Sequence, residues 1–228
     1  MKNLFILAAM LFALPGLAMT KVQLTGQLYI PHGFDDNDLV EIVVNGSLPD
    51  LCHKSPGHEV IKEGNNFIIK MYAYRAEDNT NCQKLSLPYN ETVRLGILPV
   101  GHYKVSLLGV VKDPRGRFEV KKAVSPLQDD FLYGNVQGLK ENDYSREIEL
   151  IGTNPVNCLK FHEVVEDIQK NVIVLKPRFK QEGLCEEIPT PFVIKYKVPY
   201  LSSHPKGVLL HVRVLNGRSY NYLYQNRF

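Results

Sequence analysis

The chain has no tryptophan, only four cysteines and four methionines, and almost no charge imbalance: 27 Lys and Arg stand against 24 Asp and Glu, for a formal net charge of +3 over 228 residues. Each shortage removes a class of function. A protein that follows a nucleic-acid backbone neutralises many phosphates with a dense basic field, which this composition does not supply; nucleic acid is not an expected partner. Beyond the first segment no stretch reaches the ~18 uninterrupted apolar residues of a spanning helix, so no transmembrane anchor is expected. The cysteines contain no C-x-x-C, the nearest two standing 27 positions apart, which argues against zinc. Neither G-x-S-x-G nor H-E-x-x-H occurs. No catalytic residue, metal or cofactor is expected.

What is present describes a folded, exported protein. Hydrophobic residues make up 44%, charged 22% and aromatic 10%, ordinary values for a globular chain. Lys2, the apolar run Leu4 to Leu14, then Pro15, Gly16 and Ala18 have the three regions of a secretory signal peptide, so residues 1–18 are expected to be removed. The first cysteine, Cys52, is too far away for a lipid tether at the cleavage point. The expected location is secreted or periplasmic. In that oxidising setting Cys52, Cys82, Cys158 and Cys185 read as disulfides, with three pairings open.

The chain also repeats. Gly46, Pro49 and Cys52 form G-x-x-P-x-x-C, and Gly152, Pro155 and Cys158 form it again 106 positions later. His58-Glu59-Val60-Ile61 is matched by His162-Glu163-Val164-Val165, and Asn66-Phe67-Ile68-Ile69 by Asn171-Val172-Ile173-Val174. Pro88-Tyr89 follows Cys82 as Pro191-Phe192 follows Cys185. This predicts two copies of one domain, residues 19–124 and 125–228, with 125–145 holding an accessible linker and the first strand of the second copy. A duplicated domain closes the same bridge in each copy, so Cys52 pairs with Cys82 and Cys158 with Cys185. Loops of this length are stabilised by about 3–4 kcal/mol in the chain-entropy account.

Val22 to Ile30, Leu39 to Asn45, Phe67 to Tyr74, Thr92 to Ile97 and Tyr103 to Val111 are rich in β-branched and aromatic residues and bounded by turn formers, which predicts strands. Asp113-Pro114-Arg115-Gly116 and Asn216-Gly217 predict hairpin turns. Phe161 to Lys170 has some helical spacing, but its counterpart Val60 to Gly64 does not, so it too is read as a strand. The segment Leu98-Pro99-Val100-Gly101-His102-Tyr103-Lys104-Val105 resembles the L-x-x-G-x-Y-x-V strand opening of immunoglobulin-like and related β-sandwich modules of secreted bacterial proteins. The resemblance implies an all-β protein of two tandem, disulfide-stapled immunoglobulin-like β-sandwich domains. It departs from true immunoglobulin domains in lacking tryptophan and in having Val105, not cysteine, two residues after Tyr103. Copy two is expected to hold Leu209 at the tyrosine position.

The recurring pairs His58-Glu59 and His162-Glu163 are the nearest approach to catalytic or metal-binding groups. Neighbours on a strand point to opposite faces, so neither pair can chelate one ion alone, and a structural role is expected. Tyr220, Tyr222 and Tyr224 form a one-sided stripe that could stack on sugars but is expected to face the core. Asn45 and Asn90 fit the N-glycosylation rule, which matters only in a eukaryotic host. The expected function is an exported, non-enzymatic binding, adhesion or envelope-associated protein that presents loops or edge strands to a protein or cell-surface component. The loop from Cys52 to Glu59, with Lys54, Ser55, Pro56 and Gly57, is the expected binding surface. A protease inhibitor using a disulfide-held loop is one alternative, and a hydrolase with a site between the domains is another.

Overall fold

The computed structural model describes residues 19–76, 81–109, 116–127, 129–142, 144–200 and 207–225, and every regular element among them is a strand. The first half holds β1 (Met19–Leu24), β2 (Gly26–Tyr29), β3 (Phe34–Asp35), β4 (Leu39–Leu48), β5 (His53–Glu63), β6 (Asn66–Ala76), β7 (Leu87–Ile97), β8 (Gly101–Leu107) and β9 (Gly116–Lys121). The second holds β10 (Val136–Glu141), β11 (Glu147–Asn154), β12 (Leu159–Gln169), β13 (Val172–Gln181), β14 (Thr190–Lys197), β15 (Val208–Val214) and β16 (Arg218–Tyr224). No described helix is long and apolar enough to cross a membrane. Residues 1–18, expected to be a signal peptide, and the turn expected at residues 113–115 lie outside the described residues.

Strand pairing repeats between the halves. A small sheet β2-β4-β7 corresponds to β10-β11-β14, and the large-sheet path β5-β6-β8-β9 corresponds to β12-β13-β15-β16. Each large sheet has a parallel pair at the same place, Phe67 of β6 lying opposite Val105 of β8 and Ile173 of β13 opposite Leu210 of β15, and in the first sheet β3 also runs parallel to β9. These parallel pairs depart from the two antiparallel sheets of an immunoglobulin domain. In the first half β1 extends the sheet along the far end of β6; in the second, Tyr133 makes one bridge to Arg178 at the corresponding place.

The register corrects two sequence alignments by one residue. Asn65 O accepts from Lys104 N at 3.0 Å, and Asn171 O accepts from Leu209 N at 2.9 Å, so Phe67 corresponds to Ile173 and Tyr103 to Val208, not to Val172 and Leu209. A one-residue slip exchanges the two faces of a strand. Ile173, Leu175, Val208 and Leu210 accordingly sit in the second core, while Val172, Val174 and Leu209 face away from it. A further correction concerns 22–30, which is two strands in different sheets with a break at Thr25.

Alternation builds the first core. Phe67, Ile69, Met71 and Ala73 of β6 point inward against Val40, Ile42 and Val44 of β4, while Lys70 and Tyr72 point out. The second core gathers Ile148, Leu150, Ile173, Leu175, Leu210 and Val212. Tyr220 and Tyr222 pack against that core and Tyr224 is buried within it, which places the tyrosine stripe inside the sandwich. A third cluster joins Tyr29 and Val43 to Val172, Val174 and Leu209, one contribution from each half. The outer face of the first small sheet therefore covers the outer face of the second large sheet, and four sheets stack in series. This is why all seven residues of β15 are buried: one face lines the second core and the other the junction.

Polar groups lock that junction. Arg213 Nη2 donates to Asp38 Oδ2 at 2.7 Å and to Gly33 O at 2.9 Å, and its guanidinium lies 4.9 Å from the Phe34 ring centroid. Glu41 of β4 accepts from Ser219 and from Asn221 Nδ2, and Asn221 Oδ1 contacts His211 Nδ1 at 2.7 Å. Burial drives the His211 imidazole down to about 3, so it is held neutral. Burial, reinforced by the Asp38 charge, pushes the Asp129 carboxyl up to about 6. The connecting segment is stitched down as well: Tyr133 is buried, and Leu132 O accepts from Phe179 N at 2.8 Å.

Cys52 bonds Cys82 and Cys158 bonds Cys185, the within-copy pairing the repeat implies. The repeated glycines have a shared cause. A Cβ on Gly46 would meet the Tyr89 hydroxyl at 2.5 Å and Thr25 O at 2.7 Å; on Gly152 it would meet Asn135 O at 2.3 Å and the Phe192 ring at 2.5 Å. Asn216 and Gly217 adopt φ 66° and 62°, the paired left-handed residues of a two-residue hairpin.

Candidate functional site

The segment expected as a presented loop is part of a strand. Lys54 lies opposite Tyr74 and the next pair is Gly57 with Tyr72, so Ser55 and Pro56 together stand opposite Ala73, a bulge of one extra residue in β5. Pro56 brings no N–H to a ladder, which a bulge tolerates, and Ser55 takes φ 51° to make the step. The local signals of a turn are real, but the chain uses them to kink an edge strand rather than to project from it.

That kink underlies an aromatic platform. A Cβ on Gly57 would stand 3.0 Å from the Tyr72 ring, so the missing side chain lets the ring lie across the bulge. Tyr72 and Tyr74 meet edge to face at 5.6 Å between centroids, and Lys21 Nζ of β1 sits 3.7 Å from the Tyr72 centroid. Glu59 of β5 holds that ammonium in an ion pair, and its hydrogen bond with Lys21 draws the Glu59 carboxyl below its ordinary range. Lys70 and half-buried Ile68 continue the same outer face along β6. Its counterparts in β13, Lys176 and Val174, are under the first sandwich. Of two equivalent large-sheet faces, that of the second half is covered over Val172, Val174 and Leu209 and emerges at Lys180, the counterpart of Tyr74, while along β6 of the first half the face is open.

The remaining candidates do not converge. His58 Nδ1 contacts Glu91 Oε1 of β7 at 2.8 Å and Glu59 turns to Lys21, while Glu163 accepts from Arg178 Nη1 at 3.2 Å beside exposed His162. These are separate contacts between strands. Asp50 stands with Cys52 and Cys82, but both sulfurs are in the disulfide, and its carboxylate accepts from Cys52 N at 2.9 Å and pairs with His53 Nδ1 at 2.7 Å. The hydrogen bond from His53 lowers the Asp50 carboxyl. Asn45 Nδ2 donates to Asn90 Oδ1 at 2.7 Å, so the two glycosylation-type asparagines partner one another.

A cleft of about 480 Å³ opens between the halves, with His32, Lys104, Arg117, Glu119, Lys121 and Asp167 in its walls. Among the described residues no serine, threonine or cysteine lines it. The junction and the Tyr72–Tyr74 platform are what the residue reading missed. Tyr72-Ala73-Tyr74 did carry a signal, two aromatics on one face of a strand, and so did a charged Arg213 inside an apolar run.

Residues 42–120 match the family model described as the ORF11 beta-sandwich domain, a span that runs from within β4 to within β9 of the first half. Comparison with curated proteins and with solved structures gave no match.

Proposed function

We propose that this chain is an exported, non-enzymatic binding protein of two tandem immunoglobulin-like β-sandwiches, in which the second is the support and the first presents its open large-sheet face to a protein or cell-surface component. One observation carries the reading: the stretch of sheet face that self-packing buries in the second sandwich is left open in the first, next to Tyr72, Tyr74 and Lys21. Aromatic side chains with a polar end beside a cation are the residues that dominate protein interfaces. Further support comes from Tyr103 Oη, which donates to Pro99 O at 2.7 Å, the corner that immunoglobulin-like domains make at this strand. The two disulfides are compatible with export. The bulge at 54–57 lies in the ladder beside β6, which does not favour the projecting loop of a protease inhibitor.

The test is cross-linking capture from native envelope and secreted fractions by the purified protein and by its Tyr72→Ser/Tyr74→Ser variant. Truncating anchoring aromatics typically weakens binding by about 2 kcal/mol or more, so a component held by the parent should fall at least about tenfold in the variant. Equal retention by both proteins would remove the platform from the account.

A further inference from the structure

The cleft between the sandwiches adjoins a second one of about 150 Å³, and the two share Arg117 and Gln169 in their walls. Together they form a groove between the β8–β9 hairpin of the first half and the β12–β13 tip of the second. Three features of its lining have no explanation in the stability of the fold.

The first is a like-charge pair. Lys104 and Arg117 lie directly opposite one another on β8 and β9, both exposed, and among the described residues neither has a carboxylate partner. Like charges placed across a strand pair are unfavourable, and a scaffold built only for stability would place an acid at one of them.

The second is strain. The β5–β6 turn between Glu63 and Asn66 uses Gly64 at φ 60°, and the equivalent β12–β13 turn between Gln169 and Val172 uses Lys170 at φ 54°. Left-handed backbone is free to glycine and unfavourable for a lysine. The first copy shows what this turn prefers, yet the second puts an ammonium there, and Lys170 lines the groove with Arg117.

The third is His32, in the wall of the larger cleft, whose ring nitrogens are both buried without a hydrogen bond. Its Nε2 lies 3.0 Å from Asp167 Oδ1 but not in hydrogen-bonding geometry. Against Lys104, Arg117, Lys121 and Lys170 the groove sets two acids, Glu119 and Asp167.

We propose that this groove binds a ligand carrying two or more phosphate or sulfate groups. Four cations from two strands and a turn line it, and the planar fork of Arg117 suits oxyanions, with Lys104 and Lys170 as point charges beside it. A groove of this size takes a small molecule or one segment of a glycan or headgroup. The groove lies at the β8–β9 end of the outer sheet face whose β6 end carries the Tyr72–Tyr74 platform, and the two have no residue in common, so each is tested by its own variants.

The experiment is isothermal titration of the full chain at low ionic strength with three probes: inorganic pyrophosphate, a sulfated disaccharide, and phosphatidylcholine vesicles carrying phosphatidylinositol bisphosphate. The expected result is saturable binding of at least one probe, weakened about tenfold or more by Arg117→Ser and by Lys170→Gly, and unchanged by Lys160→Ser, at an exposed lysine at the other end of β12 that lines neither cleft. The probe bound most tightly identifies the carrier of the oxyanions. Lys170→Gly installs the residue the first copy uses, so its thermal midpoint should equal or exceed the parent's, and lost binding cannot then be put down to unfolding. The proposal is overturned if no probe binds, if Lys170→Gly binds as tightly as the parent, or if Lys160→Ser weakens binding as much as the groove variants do.

Discussion

An Arg213→Met variant should lose about 3–5 kcal/mol of stability, the range for removing one member of a buried ion pair. Arg213 and Asp38 are each 4% exposed at the side chain, and their contact at 2.7 Å lies between sheets of different halves. Truncating the arginine leaves the Asp38 carboxylate in the junction with its backbone partner Asp35 N, at 2.8 Å, and no counter-charge among the described residues within hydrogen-bonding reach. It also strips a donor from Gly33 O and a cation from the Phe34 ring. Urea unfolding reads the loss as a lower midpoint. The double variant Asp38→Leu/Arg213→Met should recover most of it, since an apolar pair of similar volume often equals or exceeds a buried ion pair. A single-variant loss below about 1 kcal/mol is what an exposed pair gives, and would mean that the two halves do not close over this contact.

Gly152→Ala should be damaging by a different route. The new methyl would stand 2.3 Å from Asn135 O and 2.5 Å from the Phe192 ring, and a backbone carbonyl cannot rotate away as a side-chain end can. Overpacking of this kind costs about 1–3 kcal/mol and sometimes more, and here β10 must separate from β11. Gly46→Ala should follow at a smaller loss, because one of its contacts, the Tyr89 hydroxyl, ends a side chain. Gly138→Ala is the control: nothing lies within 4 Å of its Cβ and its φ is not left-handed, so thermal unfolding should show no loss. Equal midpoints for Gly152→Ala and Gly138→Ala would contradict the packing described for the repeated motif.

The duplication was legible in the sequence because its signals are local. Gly46 and Gly152 each admit an aromatic ring from a neighbouring strand, and Cys52 and Cys158 each close a short loop, so motif and pairing could be read together. The tyrosine stripe was legible for the same reason, one face of one strand. The junction was not. Arg213 and Asp38 stand 175 positions apart, and nothing near either names the other. The one-residue misalignment of Val172 has a physical origin too: β13 is apolar on both faces because both are covered, so alternation could not say which face belongs to the core. The bulge at 54–57 carried Ser-Pro-Gly, a turn composition, and only pairing with Tyr72 and Tyr74 distinguishes a kinked strand from a loop.

The open face follows from the same packing that buries its twin, and hydroxyl-radical footprinting tests it most directly. In the free protein Tyr74, at 37% exposure, should be oxidised, while Tyr29 at 1% and Phe34 at 0% are spared beneath the second sandwich. With the captured partner added, Tyr72 and Tyr74 should become protected while Tyr144, at 92% exposure, keeps its rate. Oxidation of Tyr29 in the free protein, or undiminished oxidation of Tyr72 and Tyr74 in the complex, would contradict a molecule that covers one large-sheet face with itself and offers the other.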